Sequence, residues 1–357
     1  MVESLRWDIF CHVVDNLGDI GVSWRLAAQL AARGQAVRLW VDDASALAWM
    51  APDGCAGVQV MALPDAEASF EAGQVLIQAF GCPLAPAVLA AMARANRQAA
   101  RSVIWINLEY LSAEAFVARS HGLESPVHGG APAGMRRWFY FPGFSADTGG
   151  LLREAGLMER RLAFERAAWF ARRGISWAGE TVVSLFCYEP AGLGAWLATL
   201  AGTPTLLLVT AGRAAAAVRQ ALAGLPAALD PGSGLRVVYL PYLSQSEFDQ
   251  LLWSADCNFV RGEDSLVRAL WAGAGLVWQP YPQQDGAHRV KLDAFLEWLQ
   301  APPSLRRFHG VWNGFEAGPG PALQCSGWRA VVDRARQRLL EQDDLVSRLF
   351  QFIAKTR

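Results

Sequence analysis

"DCNFVRGEDSLVRALWAGAGLVW", residues 256–278, passes from an apolar run through a polar turn into an amphipathic segment and back to an apolar run. A short apolar run bounded by turn formers reads as a buried strand, and apolar residues spaced by three and four read as a helix. Strand, turn, helix, turn, strand is a βαβ unit, whose parallel strands need helices over both faces. The turn is Arg261-Gly262-Glu263-Asp264-Ser265, where the first strand ends and the helix opens. The N–H groups of a helix's first turn carry partial positive charge and bind phosphate. Asp264 or Ser265 as N-cap accounts for either residue alone. It does not account for Arg261 and Glu263 beside them. A glutamate here can accept hydrogen bonds from vicinal sugar hydroxyls while Arg261 or the helix amides hold a diphosphate. That combination suits a sugar nucleotide better than a dinucleotide, for which the G-x-G-x-x-G pattern is missing.

The same alternation runs through the chain. In the second half, strands are expected at Thr181–Cys187, Thr205–Val209, Leu235–Tyr239, Cys257–Val260 and Gly275–Trp278, with helices such as Gly212–Ala223 and Ser244–Ser254 between them. In the first half, strands are expected at Trp7–Val14, Ala36–Val41, Val58–Ala62, Val75–Gln78, Val103–Asn107 and Trp138–Phe141, with a helix at Gly21–Ala32. The predicted class is α/β, with two Rossmann-like domains facing across a cleft and ligands at the carboxyl ends of the strands. "FPGFSADTGGLLRE" (141–154) is punctuated by Pro and Gly and marks a boundary. The expected organisation is an N-terminal domain over 1–153, a connector over 154–178 and a C-terminal domain over 179–338. A last helix near 339–357 is expected to pack back on the first domain.

Of 357 residues, 53% are hydrophobic and 18% charged, which indicates well-buried cores and not a disordered chain. With 32 basic and 33 acidic residues the net charge is −1, so no global basic field points to nucleic acid. Only Lys291 and Lys355 are lysines, which reads as compositional bias toward Arg. The six cysteines are scattered singly, the five histidines share no spacing, and no Asp-x-Asp ends a strand. A disulfide framework and a metal site are therefore not expected, and no cofactor is. No apolar run approaches the ~18 residues a membrane span needs, and the default compartment is a reducing cytoplasm.

The first turn poses a different problem. "HVVDNLGDIGVSWRLAAQL" (12–30) is again strand, turn and helix, yet Asp15 and Asp19 flank Asn-Leu-Gly where a phosphate reader would have glycines. An N-cap and an Asx turn account for one carboxylate more easily than for two. Two carboxylates repel a diphosphate but suit a guanidinium, a planar fork of five donors that a carboxylate meets bidentately. One aspartate can also serve as general base for an inverting glycosyl transfer. The turn Asp42-Asp43 reads as a helix-capping turn. Around the other turn, "VSLFCYEP" (183–190) puts Phe186 and Tyr188 on one side of a strand end, where aromatics are core residues more often than stacking platforms. "LPYLSQSEFDQLL" (240–252) offers Gln245, whose amide can pair with a pyrimidine edge, and Phe248 to stack on it.

"DNLGDIGVSWRLAAQL", "FPGFSADTGGLLRE", "RGEDSLVRALWAG" and "VWQPYPQ" together resemble the EarP family of arginine rhamnosyltransferases that modify elongation factor P. The resemblance implies a metal-independent GT-B glycosyltransferase, with the acceptor at the N-terminal domain and the donor at the C-terminal one. It implies inverting transfer of rhamnose from dTDP-β-L-rhamnose to one arginine of elongation factor P. It assigns the catalytic residues to Asp15, Asp19 and Glu263, and donor binding to Phe186, Tyr188, Gln245, Phe248, Arg261, Asp264, Ser265 and Tyr281. Asn16 and Gly18 of the first turn are taken with the donor-binding set. Leu266, Leu270 and Ala274-Gly275 stand where the family pattern leads one to expect Phe, Gln and Lys-Pro. The alternatives are a GT-B enzyme acting on a small-molecule or lipopolysaccharide sugar, and a non-catalytic sugar-nucleotide-binding protein. The first needs one base instead of a carboxylate pair, and the second leaves Asp15 and Asp19 without a role.

Overall fold

The computed structural model describes residues 4–15, 17–98, 102–224, 234–283, 286–318 and 320–356. The chain divides into two compact units, Met1–Glu154 with Gln342–Arg357, and Ala155–Glu341.

The first unit is built on seven strands: β1 (Arg6–Cys11), β2 (Ala36–Val41), β3 (Val58–Ala62), β4 (Val75–Ala79), β5 (Ile104–Leu108), β6 (Glu124–Pro126) and β7 (Arg136–Tyr140). Their order is β3-β2-β1-β4-β5-β7-β6, parallel except for the short edge strand β6. Alternate residues serve opposite faces, as strand geometry requires. Trp7, Ile9 and Cys11 pack in one core with Leu26 and Leu30 of the Gly18–Ala32 helix and with Leu349 and Ile353 of the C-terminal helix, Leu345–Thr356. Phe10, Trp40, Leu76 and Trp105 form the opposite core with Phe70 and Met92. The C-terminal helix thus belongs to the first unit, and Arg33 ties its start through Asp344 at 2.7 Å.

The expected strand Trp7–Val14 stops at Cys11 because its next amides are claimed by side chains. Asp42 Oδ1 accepts from Val13 at 2.9 Å and Asp19 Oδ2 from Val14 at 3.0 Å, so the chain leaves the sheet. The helix expected from Gly21 begins at Gly18.

The second unit has five strands, all parallel: β8 (Thr181–Leu185), β9 (Thr205–Val209), β10 (Leu235–Tyr239), β11 (Cys257–Arg261) and β12 (Gly275–Gln279), in the order β10-β9-β8-β11-β12. Of the stretch 154–178, expected as a connector, all but Glu154 is part of this unit. It forms two helices, Leu157–Leu162 and Arg166–Arg172, and buries Trp169 and Phe170 in a core with Leu206, Leu240 and Leu251. Arg166 is bound bidentately to Asp256, at 2.9 Å for each bond, just before β11.

In both sheets the strand order reverses beside the first strand, between β1 and β4 and between β8 and β11. Ligands of open α/β sheets bind outside the carboxyl ends of the strands at such a switch point. Each of the two turns singled out in the sequence lies at one of them.

Candidate functional site

The turn after β1 is closed upon itself. Asp19, in the first turn of the Gly18–Ala32 helix, bends its side chain back so that Oδ2 accepts the amides of Val14 and Asp15, both at 3.0 Å. It is 5% exposed, while Asp15 is half-buried. Neither aspartate caps the helix: Leu17 holds the N-cap position without a side-chain bond. Asp19 satisfies the amides of the loop and not those of the helix, so N-capping does not account for it. The N–H of Gly18 is spent on the Asp15 carbonyl at 2.9 Å. A Cβ at Gly18 would stand 2.7 Å from Asp15 Oδ2, so the missing side chain makes room for that carboxylate. Gly18 therefore belongs with Asp15 in this structure; Asn16 lies outside the described residues. From β2, Asp42 braces the loop through Val13 and a 2.6 Å contact with His12 Nδ1, and Asp43 accepts the Ser45 amide at 2.8 Å.

The turn after β11 has the opposite character. Gly262, at φ +63°, turns the chain out of the strand, and Glu263 occupies the N-cap position of the Asp264–Ala272 helix without a side-chain cap bond. Neither Asp264 nor Ser265 holds that position, so N-capping does not account for either. The Ser265 hydroxyl instead bridges the Arg261 backbone, accepting its N–H at 3.1 Å and donating to its carbonyl. Arg261 is 6% exposed and donates to the Cys187 carbonyl at 3.3 Å. Its guanidinium lies 4.5 Å from the Phe186 ring centroid and 4.4 Å from that of Tyr188, cation–π contacts that hold it in place.

The remaining donor-set residues gather around this arginine. Tyr188 is buried, its N–H held by Gln279 at 2.9 Å, with Tyr281 edge-on at 5.7 Å. Its ring thus supports Arg261 more than it presents a platform. Phe248 meets Phe186 edge-on at 5.4 Å. Gln245 opens the helix Gln245–Ser254, which Ser244 and Glu247 start with a capping box. Tyr281 is 43% exposed and Asp264 half-buried.

Three features here were not singled out in the sequence. Lys291 pairs with Glu263, and its rarity in an arginine-dominated chain was the available signal. Arg213, opening the helix after β9, pairs with Glu189 and lies 4.8 Å from the Tyr188 ring. Arg268 and Asp249 form a buried bidentate pair, at 2.8 and 2.6 Å, that bolts the helix carrying Gln245 and Phe248 to the one that follows Glu263. No local spacing announces that pair. Among the described residues no group of three His, Cys, Asp or Glu side chains is placed to hold a metal, and no helix is long and apolar enough to cross a membrane.

The family described as elongation factor P (EF-P) rhamnosyltransferase EarP matches residues 7–354. The chain belongs to the EarP family. A protein-arginine rhamnosyltransferase of Pseudomonas aeruginosa is 44% identical over 378 residues, covering 98% of each chain. A solved structure concerned with EarP-mediated arginine glycosylation of translation elongation factor EF-P is 32% identical, with a TM-score of 0.67, over 99% of this chain and all of the other. The glycotransferase of kitacinnamycin, at 13% identity and a TM-score of 0.53, shares the fold, the two-unit α/β architecture of GT-B glycosyltransferases. Relative to the EarP pattern expected above, Leu266 and Leu270 are both fully buried, so those departures fall on packing; Leu270 lies in the helix body, whereas Leu266 belongs to the helix's first turn.

Proposed function

We propose that the chain is an inverting protein-arginine rhamnosyltransferase that moves rhamnose from dTDP-β-L-rhamnose to an arginine of EF-P. Membership of the EarP family and relatives named for this activity support the reading. The observation that carries the acceptor chemistry is the pair Asp15 and Asp19 at the switch point of the first sheet, where the amides of Val14, Asp15 and Gly18 are already taken within the chain.

A guanidinium is a poor nucleophile because its charge is delocalised and its pKa exceeds ~12. Asp15 aligns it; Asp19, fixed by two backbone amides, takes one proton as a guanidine nitrogen forms its bond to C1. The C1–oxygen bond to the diphosphate breaks in the same displacement, and the electron pair leaves with dTDP. Arg261 and the amide end of the Asp264–Ala272 helix oppose the charge that develops there. In this reading those groups supply the electrophilic help and no metal is required. Glu263 accepts from sugar hydroxyls, Gln245 and Phe248 meet the base, and Tyr281 lines the site. The compartment is the cytoplasm, where the protein acceptor is found.

The test is to incubate the purified chain with EF-P and dTDP-β-L-rhamnose and to measure intact mass. A gain of one deoxyhexose, mapped to an arginine peptide and α-configured by NMR, is the expected result. Unmodified EF-P would sink the acceptor assignment, and a β-linkage would sink inversion.

A further inference from the structure

Lys291 sits on the helix Ala287–Trp298 that follows β12, and its ammonium reaches across to Glu263. Both partners are largely buried, with side chains 19% and 16% exposed. At that exposure an ion pair resists screening far better than a more exposed pair of the site, Arg213 with Glu189, at 48% and 55%.

The position of Glu263 makes its partner consequential. It stands at the N-cap of the Asp264–Ala272 helix yet makes no capping bond. A carboxylate at a helix N-terminus ordinarily turns toward the first-turn amides, because the amides and the dipole both favour it. In that pose Glu263 would fill the anion site that a diphosphate needs. In the first unit a carboxylate does turn back onto backbone amides, although they are those of the loop residues Val14 and Asp15.

We infer that Lys291 is a positioning residue for donor binding: it draws the Glu263 carboxylate away from the helix amides and neutralises it, which keeps the amide end open to an anion. The inference rests on the donor site proposed above and deepens it. It also accounts for a glutamate and an aspartate, Glu263 and Asp264, standing together where a diphosphate is to bind. One of the two charges is cancelled by the ammonium, and the Glu263 carboxylate is aimed where sugar hydroxyls can reach it.

The experiment uses the full chain and dTDP as probe. Lys291→Met is expected to weaken dTDP binding in calorimetry by about tenfold or more, the scale of one lost charge-assisted interaction. The donor KM should rise in parallel while kcat changes far less, and Lys291→Arg should restore most of the affinity. In a Glu263→Gln background the same Lys291→Met change should cost almost nothing, since no carboxylate remains to be held. Undiminished dTDP affinity in Lys291→Met, or an equal loss in both backgrounds, would overturn the role; the second outcome would mean that the lysine acts on the phosphates directly. A thermal midpoint unchanged in Lys291→Arg separates positioning from folding. Wild-type protein that fails to bind dTDP removes the donor assignment itself, and with it this role.

Discussion

The turns after β1 and after β11 each flank the switch point of their sheet, one after its first strand and the other after the strand across from it, and they treat their carboxylates in opposite ways. After β1, Asp19 folds back and satisfies the loop amides, and Gly18 spends its own N–H on Asp15. After β11, a serine hydroxyl closes the turn and a lysine holds the nearby glutamate, so the carboxylate stays off the helix amides. A Rossmann turn is a phosphate site only when nothing in the chain has already claimed its amides. In the first turn a carboxylate has taken backbone amides; in the second the nearby carboxylate is paired with a cation instead. The proposed placement of a cationic acceptor at the first and an anionic donor at the second rests on that difference.

The largest expected effect comes from removing the charge that fills the first turn. Asp19→Asn keeps an oxygen for the two amides but loses the base, and turnover of EF-P should fall by about 10²–10⁴-fold. Donor affinity, which belongs to the other turn, should stay within twofold of wild type. Intact-mass kinetics and dTDP calorimetry on one preparation check both halves. Loss of dTDP binding in this variant would break the division of labour between the turns.

Each turn is also anchored by an arginine, and the anchors differ in depth. Arg268 and Asp249 are 1% and 8% exposed, whereas Arg25 and Glu154, which tie down the first helix, are 5% and 24%. Arg268→Met strands a carboxylate that water cannot reach, and should cost about 3–5 kcal/mol. Arg25→Met leaves Glu154 able to hydrate, and should cost roughly 1–2 kcal/mol. Urea unfolding of the two variants gives the ranking, and equal costs would contradict the burial argument.

Much of this was legible in the chain because strands and turn residues act locally. The βαβ reading of 256–278, the boundary near residue 154 and the places of Glu263 and Arg261 all follow from apolar runs and turn formers. What stayed hidden depends on contacts distant in sequence. Lys291 lies 28 residues from Glu263, and Arg268 lies 19 from Asp249, so neither pair has a local signature. The stretch 154–178 looked like a connector because its charged residues are prominent, while Trp169 and Phe170, which place it in the second unit's core, are only two side chains. Cap positions depend on the fold in a related way. Asp, Ser and Glu near a helix start suggest capping, and only the three-dimensional turn reveals which amide each one takes.

A milder probe of the first turn is Gly18→Ala. The glycine is not in the left-handed region, so alanine is conformationally allowed and favours the helix. Its Cβ would, however, displace the Asp15 carboxylate that lies 2.7 Å from that point. Activity should fall about tenfold, the cost of a misplaced group at the reacting centre, with the thermal midpoint unchanged or raised. A fall in stability instead would show that Gly18 serves the fold and not the carboxylate.

A last effect is shared by the two units and tests whether they respond to acid alike. Each has a histidine that accepts a backbone amide: His121 Nδ1 from Phe141 at 3.1 Å, and His309 Nε2 from Trp278 at 2.9 Å. Burial pushes both down to about 4 from the ordinary 6.5, aided at His121 by the charge of Arg348. An acceptor nitrogen that takes up a proton loses its bond, so the folded chain resists protonation while the unfolded chain does not. Between pH 6.5 and 4 the unfolded state therefore binds more protons, and stability falls as pH falls; above 6.5 the contribution is complete. For His309, which is fully buried, the slope is at most about 1.4 kcal/mol per pH unit. Half-buried His121 should give a shallower one. Denaturant midpoints at several pH values in this window, for wild type and for His309→Gln, measure the difference. Glutamine can still accept the Trp278 amide but does not titrate, so its profile should be flatter than that of the wild type. An unchanged slope would assign the acid sensitivity to the carboxylates that the two units use so differently.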